Sequence, residues 1–396
     1  MPNRQLYPLD YPQTADTGAS ALEEAIRSVQ REAKLTAIRN GLSRLISGQN
    51  AARLQGALLP SYGYTLPANK AGTVQAALKF KGTKGYFAGG NTISATASRT
   101  YISSMIFASE TIRALSTHLT DDREAPLSTG NRKSGYAAGG WATKLSSANS
   151  SFDRVDYLSD TTIRLNVNLS IKKYGGAAIG TKFAGFFAGG LTVWGYNHRA
   201  VDKLNYTDPE TIEQKGNILT VERVCGINST GTPTKGYYYA GGTFTPATGW
   251  LAVFSIDVLT FAGETVAALG KSLSWAHANH AAAGNDKKAL LMGGWSLMGT
   301  WFQEADNVSE FVYATETPAL LGKMLTIPTS MASAVNTSTS CYMATGMIPV
   351  GADISNYLRI EKFNFDPTTK VPFGVRLPMQ QGAPGGLSDY GASFSF

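Results

Sequence analysis

The sequence predicts an all-β propeller, and three observations support this prediction. A run of aromatic or apolar residues closing on glycine recurs at intervals of 50 to 52 residues, with copies that end at Gly90, Gly140, Gly190, Gly242, Gly294 and Gly346. A Glu-Thr or Thr-Thr pair follows each copy, and a segment of small residues precedes the second to sixth copies. A fixed period of this length is typical of repeat proteins whose units bury surface against each other.

Each repeat predicts one blade of four short antiparallel strands, named a to d. Strand a is the small-residue segment, strand b is the glycine phrase, strand c is an apolar or aromatic run, and strand d follows the Glu-Thr pair. The second residue of that pair falls 21 to 23 residues after the glycine phrase, at Thr111, Thr162, Thr211, Thr265, Thr317 and Thr369. Short strands separated by polar, glycine-containing turns are typical of propeller blades.

The glycine phrase resembles that of kelch-type β-propellers, whose blades carry an apolar run ending in Gly-Gly on strand b. The resemblance covers all six copies and therefore most of the chain. The sequence departs from the kelch pattern in two respects. The later Tyr and Trp of ordinary kelch repeats do not recur at fixed positions, and Thr345-Gly346 replaces the glycine pair in the sixth copy.

The spacing predicts seven blades, with the closing blade shared by strands from both ends of the chain. Gly382–Ser388 and the final GASFSF are predicted to be strands a and b of the seventh blade. Leu54–Leu59 and Tyr62–Leu66 are predicted to supply strands c and d, because a shared blade turns ring closure into strand pairing and removes exposed edges. The alternative is a six-bladed ring with an unrelated C-terminal strand pair.

An N-terminal arm is predicted before the propeller, which spans residues 49–396. Residues 1–19 are predicted to be an extended anchor peptide that presents Tyr7 and Tyr11, since proline-containing segments suit a groove on a partner. Residues 20–48 begin with a capping box and place Leu22, Ile26 and Val29 on one stripe of an amphipathic helix. This helix either packs on the propeller or mediates assembly.

Bulk properties exclude several classes of protein. The net charge of +7 is dispersed along the chain, whereas nucleic-acid binding normally clusters basic residues. Cys225 and Cys341 lack any metal-binding spacing and are expected to be small buried hydrophobes, so no metal site and no cofactor are predicted. The first residues do not resemble a secretory signal, and no run of 18 apolar residues predicts membrane insertion.

A binding surface is predicted from the placement of aromatic residues. In this topology the b–c and d–a connections emerge on one face of the ring, and all six tryptophans fall in them. Loop aromatics offer apolar surface with a polar edge, as protein partners and sugar rings require. The predicted binding residues are Trp141, Trp194, Tyr196, Trp250, Trp275, Trp295 and Trp301. The alternative is that these rings cover the ends of the blades.

No catalytic constellation is evident, and the chain is predicted not to be an enzyme. His277 and His280 are three residues apart, a spacing that points them to opposite sides of a strand and argues against a shared metal ion. Carboxylates on c strands, such as Asp153, are expected to be solvated.

The arrangement of anchor, helix and glycine-phrase blades resembles kelch-like propellers of phage structural proteins, cyanophages included. This resemblance implies a virion structural protein, such as a tail, tail-fibre or adhesion component in an external part of the particle. It further implies that the arm binds other virion proteins, that the protein is a homo-oligomer in the particle, and that the propeller contacts a glycan or protein of the host surface. The alternative is a cellular kelch-type adaptor or glycan-binding lectin.

Overall fold

The computed structural model describes residues 82–91, 99–193, 196–224, 229–245, 249–275, 277–298, 301–349 and 351–391. All of them belong to one compact unit, Phe80–Phe396. They form six four-stranded antiparallel sheets arranged as the blades of a propeller, which confirms the all-β prediction. The predicted anchor and helix, with Tyr7, Tyr11, Leu22, Ile26 and Val29, lie outside the described residues, as do the strands predicted before residue 70.

The strands are numbered in chain order. Blade 1 begins with β1 (Lys84–Ala88), β2 (Ile102–Ile106) and β3 (Thr111–Ala114). Blade 2 contains β4 (Leu127–Gly130), β5 (Ser134–Ala138), a hairpin of β6 (Trp141–Ala142) and β7 (Ser147–Ala148), then β8 (Ser151–Asp156) and β9 (Thr161–Asn168). Blade 3 contains β10 (Ala177–Gly180), β11 (Ala184–Ala188), β12 (Val201–Asn205) and β13 (Thr211–Gly216).

Blade 4 contains β14 (Thr230–Gly231), β15 (Lys235–Thr245), β16 (Gly249–Thr260) and β17 (Thr265–Ser272). Blade 5 contains β18 (Ala281–Gly284), β19 (Lys288–Met292), a hairpin of β20 (Trp295–Met298) and β21 (Trp301–Glu304), then β22 (Asn307–Val312) and β23 (Thr317–Lys323). Blade 6 contains β24 (Ser333–Asn336), β25 (Ser340–Ala344), β26 (Ile360–Phe365) and β27 (Thr368–Val371). The last strand is β28 (Gly385–Ser388).

The prediction of seven blades is wrong, because β28 completes blade 1. Residues Gly385 to Ser388 pair antiparallel with β1, so the sheet order of this blade is β28-β1-β2-β3. The C-terminal strand β28 therefore supplies the innermost strand of the blade that carries the first glycine phrase. Strand β1 is already strand b, so GASFSF is not needed for that role. The predicted sharing of the closing blade between the two ends of the chain is confirmed.

The a–b turns of blades 2 to 6 repeat one hydrogen-bond pattern. A side-chain oxygen accepts hydrogen bonds from the backbone N–H groups two and three residues ahead, at Asn131, Thr181, Thr232, Asn285 and Thr337. In blade 1 the chain is broken at this turn. The Asp389 carboxylate accepts from the Thr83 N–H at 2.8 Å, and the Asp389 N–H donates to the Lys84 carbonyl at 3.1 Å. Hydrogen bonds therefore replace the covalent link at the point where the ring closes.

The glycine phrase places adjacent apolar side chains on both surfaces of its sheet. Tyr86 packs toward blade 2, while Phe87 packs toward blade 6. Six hydrophobic clusters each join two neighbouring blades in this way, so the core is a closed ring. The glycines end the strand in left-handed conformations, and a Cβ on Gly89 would lie 2.5 Å from the Arg123 carbonyl oxygen. A side chain at this position would force the backbone apart.

In blades 1 to 5 a buried polar residue of the d–a connection holds the end of strand b. Arg123 donates to the carbonyls of Gly139 and Ser151 and pairs with Asp153 on strand c, its Nε lying 2.9 Å from Oδ2. The expectation that Asp153 is solvated is wrong, because both side chains are fully buried. Equivalent pairs occur in four other blades as Lys173–Asp202, Arg223–Asp257, His277–Ser309 and Gln381–Ser103.

The Glu-Thr pair marks a contact between blades. Strand d begins at Thr161 and Thr368 in blades 2 and 6, one residue before the threonines predicted there. The Asp160 carboxylate accepts hydrogen bonds from Tyr86 at 2.6 Å and from Lys84 at 2.9 Å, both in blade 1. Burial raises the pKa of the Tyr86 hydroxyl far above its usual value, and the bond to Asp160 adds to this shift. The acidic residue at the start of strand d therefore stabilises the packing of neighbouring blades.

Candidate functional site

The b–c and d–a connections lie together on one face of the ring, here named the loop face. In every blade a backbone bridge joins the two connections, at Asn91 and Gly382, Glu124 and Trp141, Tyr174 and Leu191, Val224 and Gly242, Ala278 and Trp295, and Ser330 and Met347. The a–b and c–d turns lie on the opposite side, the turn face. This arrangement agrees with the topology from which the binding surface was predicted.

The loop face varies from blade to blade. Blade 2 carries the β6–β7 hairpin with a 3₁₀ helix at Thr143–Leu145, and blade 6 carries a 3₁₀ helix at Ile354–Leu358. In blade 4, β15 and β16 continue past the glycine phrase as a ribbon that ends at the Thr245 and Gly249 pair. In blade 5, β20 and β21 form a further hairpin. The described parts of the b–c connections therefore differ in length and structure from blade to blade.

Trp141 is half-buried at the base of the blade 2 hairpin. Its backbone exchanges two hydrogen bonds with Glu124, of 2.8 and 2.9 Å, so the d–a connection fixes its position. Its ring meets Tyr174 of the next blade edge-on, with centroids 5.2 Å apart and an interplanar angle of 61°. Two aromatic side chains from neighbouring blades thus lie side by side on the loop face.

The described residues place Trp295, Trp275 and Tyr196 in other blades or connections than Trp141. Trp295 holds the equivalent position in blade 5, which lies opposite blade 2 in a six-bladed ring. Trp275 is half-buried in the connection before blade 5, and Tyr196, in blade 3, is 61% exposed. Trp194 lies outside the described residues. Of Trp250 in β16 and Trp301 in β21 only the strand positions are described.

The histidines at 277 and 280 are part of the core. The His277 Nδ1 donates to the Gly293 carbonyl at 2.6 Å, and its Nε2 accepts from the Ser309 hydroxyl at 2.8 Å. Burial lowers the pKa of His277 to about 4 and that of His280 to about 3, so both rings are neutral at physiological pH. Among the described residues no group of three or more His, Cys, Asp or Glu side chains could hold a metal ion. Cys341 is fully buried, as expected.

A polar cluster beside Trp141 was not predicted from the sequence. We name Asn91, Arg99, Glu124, Trp141 and Tyr174 the Trp141 cluster. The Glu124 carboxylate forms an ion pair with the Arg99 guanidinium and accepts a hydrogen bond of 3.4 Å from the Asn91 amide. Burial raises the pKa of Glu124, and this effect outweighs the opposing effect of Arg99. The carboxylate therefore lies in a desolvated position. Burial, and to a lesser degree the charge of Glu124, raise the pKa of the neighbouring Tyr174, while the Glu124 and Trp141 backbones are hydrogen-bonded to each other.

The charged pair of this cluster departs from the repeat. Residues equivalent to Glu124 in the other blades carry no charge: they are Tyr174, Val224, Ala278, Ser330 and Gly382. The position of Arg99 is taken by Asn149 and Ala305 in blades 2 and 5, whose carbonyls accept the same backbone hydrogen bond. Blades thus form without this ion pair. Comparing the repeat copies position by position is the sequence signal that could have found it.

The axis of the ring is a less suitable site. A cavity of about 70 Å³ lies along it, lined by β4, β10, β14, β18, β24 and β28 and their turns. A cavity of this size has room for several water molecules. The buried Ser128 hydroxyl lines the cavity and has no hydrogen-bond partner in the described part of the chain, so ordered water suits it better than a ligand.

Comparison with known proteins gives no family for this chain: no protein-family model matches it, and no curated protein sequence matches it. No helix within the described residues is long and apolar enough to cross a membrane. What the propeller binds must therefore be inferred from its own residues.

Proposed function

We propose that the chain is a structural and adhesive component of a virus particle, of the kind found in phage tails and tail fibres. In this proposal residues 1–48 attach the protein to other virion proteins, and the propeller presents its loop face to a host surface or to another partner. The virion assignment depends on the sequence resemblance to phage kelch-like propellers. The homo-oligomeric state follows from the same resemblance.

The observation that supports a binding role is the difference between the two faces. The turn face uses one hydrogen-bonded turn in all six blades, including the break in blade 1. The loop face adds hairpins and 3₁₀ helices of different lengths that the scaffold does not require. Binding residues are disproportionately found on such loops, which a rigid scaffold positions.

The proposal assigns no catalytic step and no cofactor to the propeller. His277 and His280 are fully buried, and Asp153, Asp202 and Asp257 are each paired with a buried cation. A group that serves chemistry has to reach a substrate. These side chains instead serve the scaffold.

Locating the protein in a purified particle tests the virion assignment. Gold-labelled antibodies against the propeller are expected to mark the tail or another external structure. Deletion of residues 1–48 is expected to remove the protein from particles and to lower its mass in solution to that of a monomer, measured by light scattering. Particles without label would contradict the virion role and leave the cellular lectin or adaptor as the better candidate.

A further inference from the structure

We infer that the Trp141 cluster is a binding site for a neutral saccharide. This inference rests on the proposed binding role of the loop face and names the class of ligand for one part of it. Three observations support it. The Arg99–Glu124 ion pair is absent from the equivalent positions of the other blades, burying this pair costs free energy, and the Trp141 and Tyr174 rings of the same cluster suit a sugar.

The cost of the Arg99–Glu124 pair points to a use beyond folding. The side chains of Arg99 and Glu124 are only 9% and 17% exposed. Removing two charges from water is expensive, and apolar residues of similar size often give equal or greater stability. Four of the five equivalents of Glu124 are small or apolar, which shows that the blade can take the cheaper solution. An ion pair retained where the scaffold does not need it is best explained by a ligand.

The arrangement of groups suits a sugar ring. Trp141 and Tyr174 provide apolar surface with polar edges, which matches the C–H groups and hydroxyls of a pyranose. The Glu124 carboxylate can accept hydrogen bonds from sugar hydroxyls, and bonds to a charged acceptor are the stronger ones. Arg99 and Asn91 hold this carboxylate in place, so little order has to be created on binding.

The charges favour a neutral ligand over an acidic one. Arg99 is already paired with Glu124, and the Lys144 ammonium lies 3.6 Å from Asp122, whose carboxylate also accepts the Arg99 backbone N–H at 3.1 Å. A sugar carboxylate would have to compete with these acids for their cations. A neutral glycoside does not meet that competition.

Blade 5 contains a matched control for this site. Trp295 forms the same backbone bridge as Trp141, but its partner is Ala278 instead of a glutamate. An effect of removing any loop-face tryptophan should appear at both positions. An effect of the saccharide site should appear at Trp141 alone.

The experiment is saturation-transfer NMR on the full-length protein. The probes are the methyl glycosides of glucose, galactose, mannose and N-acetylglucosamine, with methyl glucuronide as the acidic comparison. At least one neutral glycoside is expected to bind. Trp141→Ala should remove the signal and Glu124→Gln should weaken binding about tenfold or more, while Trp295→Ala should leave it unchanged; circular dichroism checks that each variant is folded.

Three results would overturn the inference: no neutral glycoside binds, only methyl glucuronide binds, or Trp295→Ala reduces binding as much as Trp141→Ala does. Failure here is separable from failure of the proposed function. Particles that carry the protein and lose adsorption through Trp141→Ala without glycoside binding would reject the saccharide and keep the adhesive role. Glycoside binding by a protein that is absent from particles would keep the saccharide site and reject the virion role.

Discussion

The turn that closes blade 1 and the equivalent turns of blades 2 to 6 make the same hydrogen bonds, but the side chains that accept them differ in charge. Asn131 and Asn285 close continuous turns with neutral side chains, whereas Asp389 closes a broken one with a carboxylate. Asp389 is 4% exposed, and burial raises its pKa to about 6. A ring can thus be closed without a covalent link, but at this turn the closure includes a desolvated charge.

Among the changes considered, removing the closing strand should lower the free energy of unfolding the most. A chain ending at Gln381 loses β28, including Leu387, which is 1% exposed, and leaves the inner edge of β1 unpaired while its pairing with β2 remains. We expect a loss in unfolding free energy larger than the ~2–5 kcal/mol typical of truncating one buried leucine. Thermal unfolding followed by circular dichroism measures it. A chain ending at Gly391 is the control, and equal stability of the two chains would contradict closure by β28.

Two substitutions can replace the buried polar pair of blade 2 with the pair found in blade 1. Arg123→Gln should destabilise the protein by about 3–5 kcal/mol, because it leaves the fully buried Asp153 carboxylate without its cation. Adding Asp153→Ser recreates the pair of Gln381 and Ser103 and should recover most of the loss. Urea unfolding of both variants measures the effect. A double variant as unstable as the single one would show that the pairs are not interchangeable.

Asp389→Asn should stabilise the ring at alkaline pH. The folded pKa of about 6 lies above the usual 3.8, so the contribution of Asp389 is fully present below pH 3.8 and is lost as pH rises through 6. At pH 8 the substitution should gain roughly 1–3 kcal/mol, from about 1.4 kcal/mol per pKa unit. The gain should vanish near pH 4 in urea unfolding. A gain that is independent of pH would show that the carboxylate is not the cause.

His277→Gln should flatten the acid side of the stability profile. The folded pKa of about 4 lies below the usual 6.5, so the contribution of His277 is complete above pH 6.5 and falls as pH drops toward 4. The wild type should lose about 2 kcal/mol more than the variant between pH 7 and pH 4.5. Gln381 holds the same position in blade 1, so the variant should fold normally. Identical pH profiles would contradict the assignment.

The sequence allowed the blades and their order to be predicted because the glycine phrase combines two requirements. Residues such as Tyr86 and Phe87 must be apolar on both faces of the sheet, and Gly89 must adopt a left-handed conformation against a neighbouring carbonyl. The number of blades was mispredicted because a small-residue strand at the C-terminus can start a new blade or complete the first. Only the pairing of β28 with β1 distinguishes these cases.

The buried pairs and the Trp141 cluster escaped prediction for a different reason. Arg123, His277 and Gln381 all donate hydrogen bonds to the carbonyls of strand b. Because three different residue types fill this role, no sequence pattern marks the position. The Trp141 cluster is assembled from four separate connections in the chain, and its members become neighbours only when blades 1, 2 and 3 are packed together. A binding role of the loop face through the seven predicted aromatic residues stays a prediction, and the saccharide inference assigns to its site only Trp141 among them.

The break beside Asp389 also has a topological consequence. Gly82 and Tyr390 meet at the turn face, where a Cβ on Gly82 would lie 2.8 Å from the Tyr390 Cβ. Joining the two sides of this gap and cutting another a–b turn, such as the one that begins at Asn285, would give a circularly permuted chain with the same strand pairs. Any blade could therefore come first in the chain, because the fold depends on which strands pair and not on the strand with which the sequence starts.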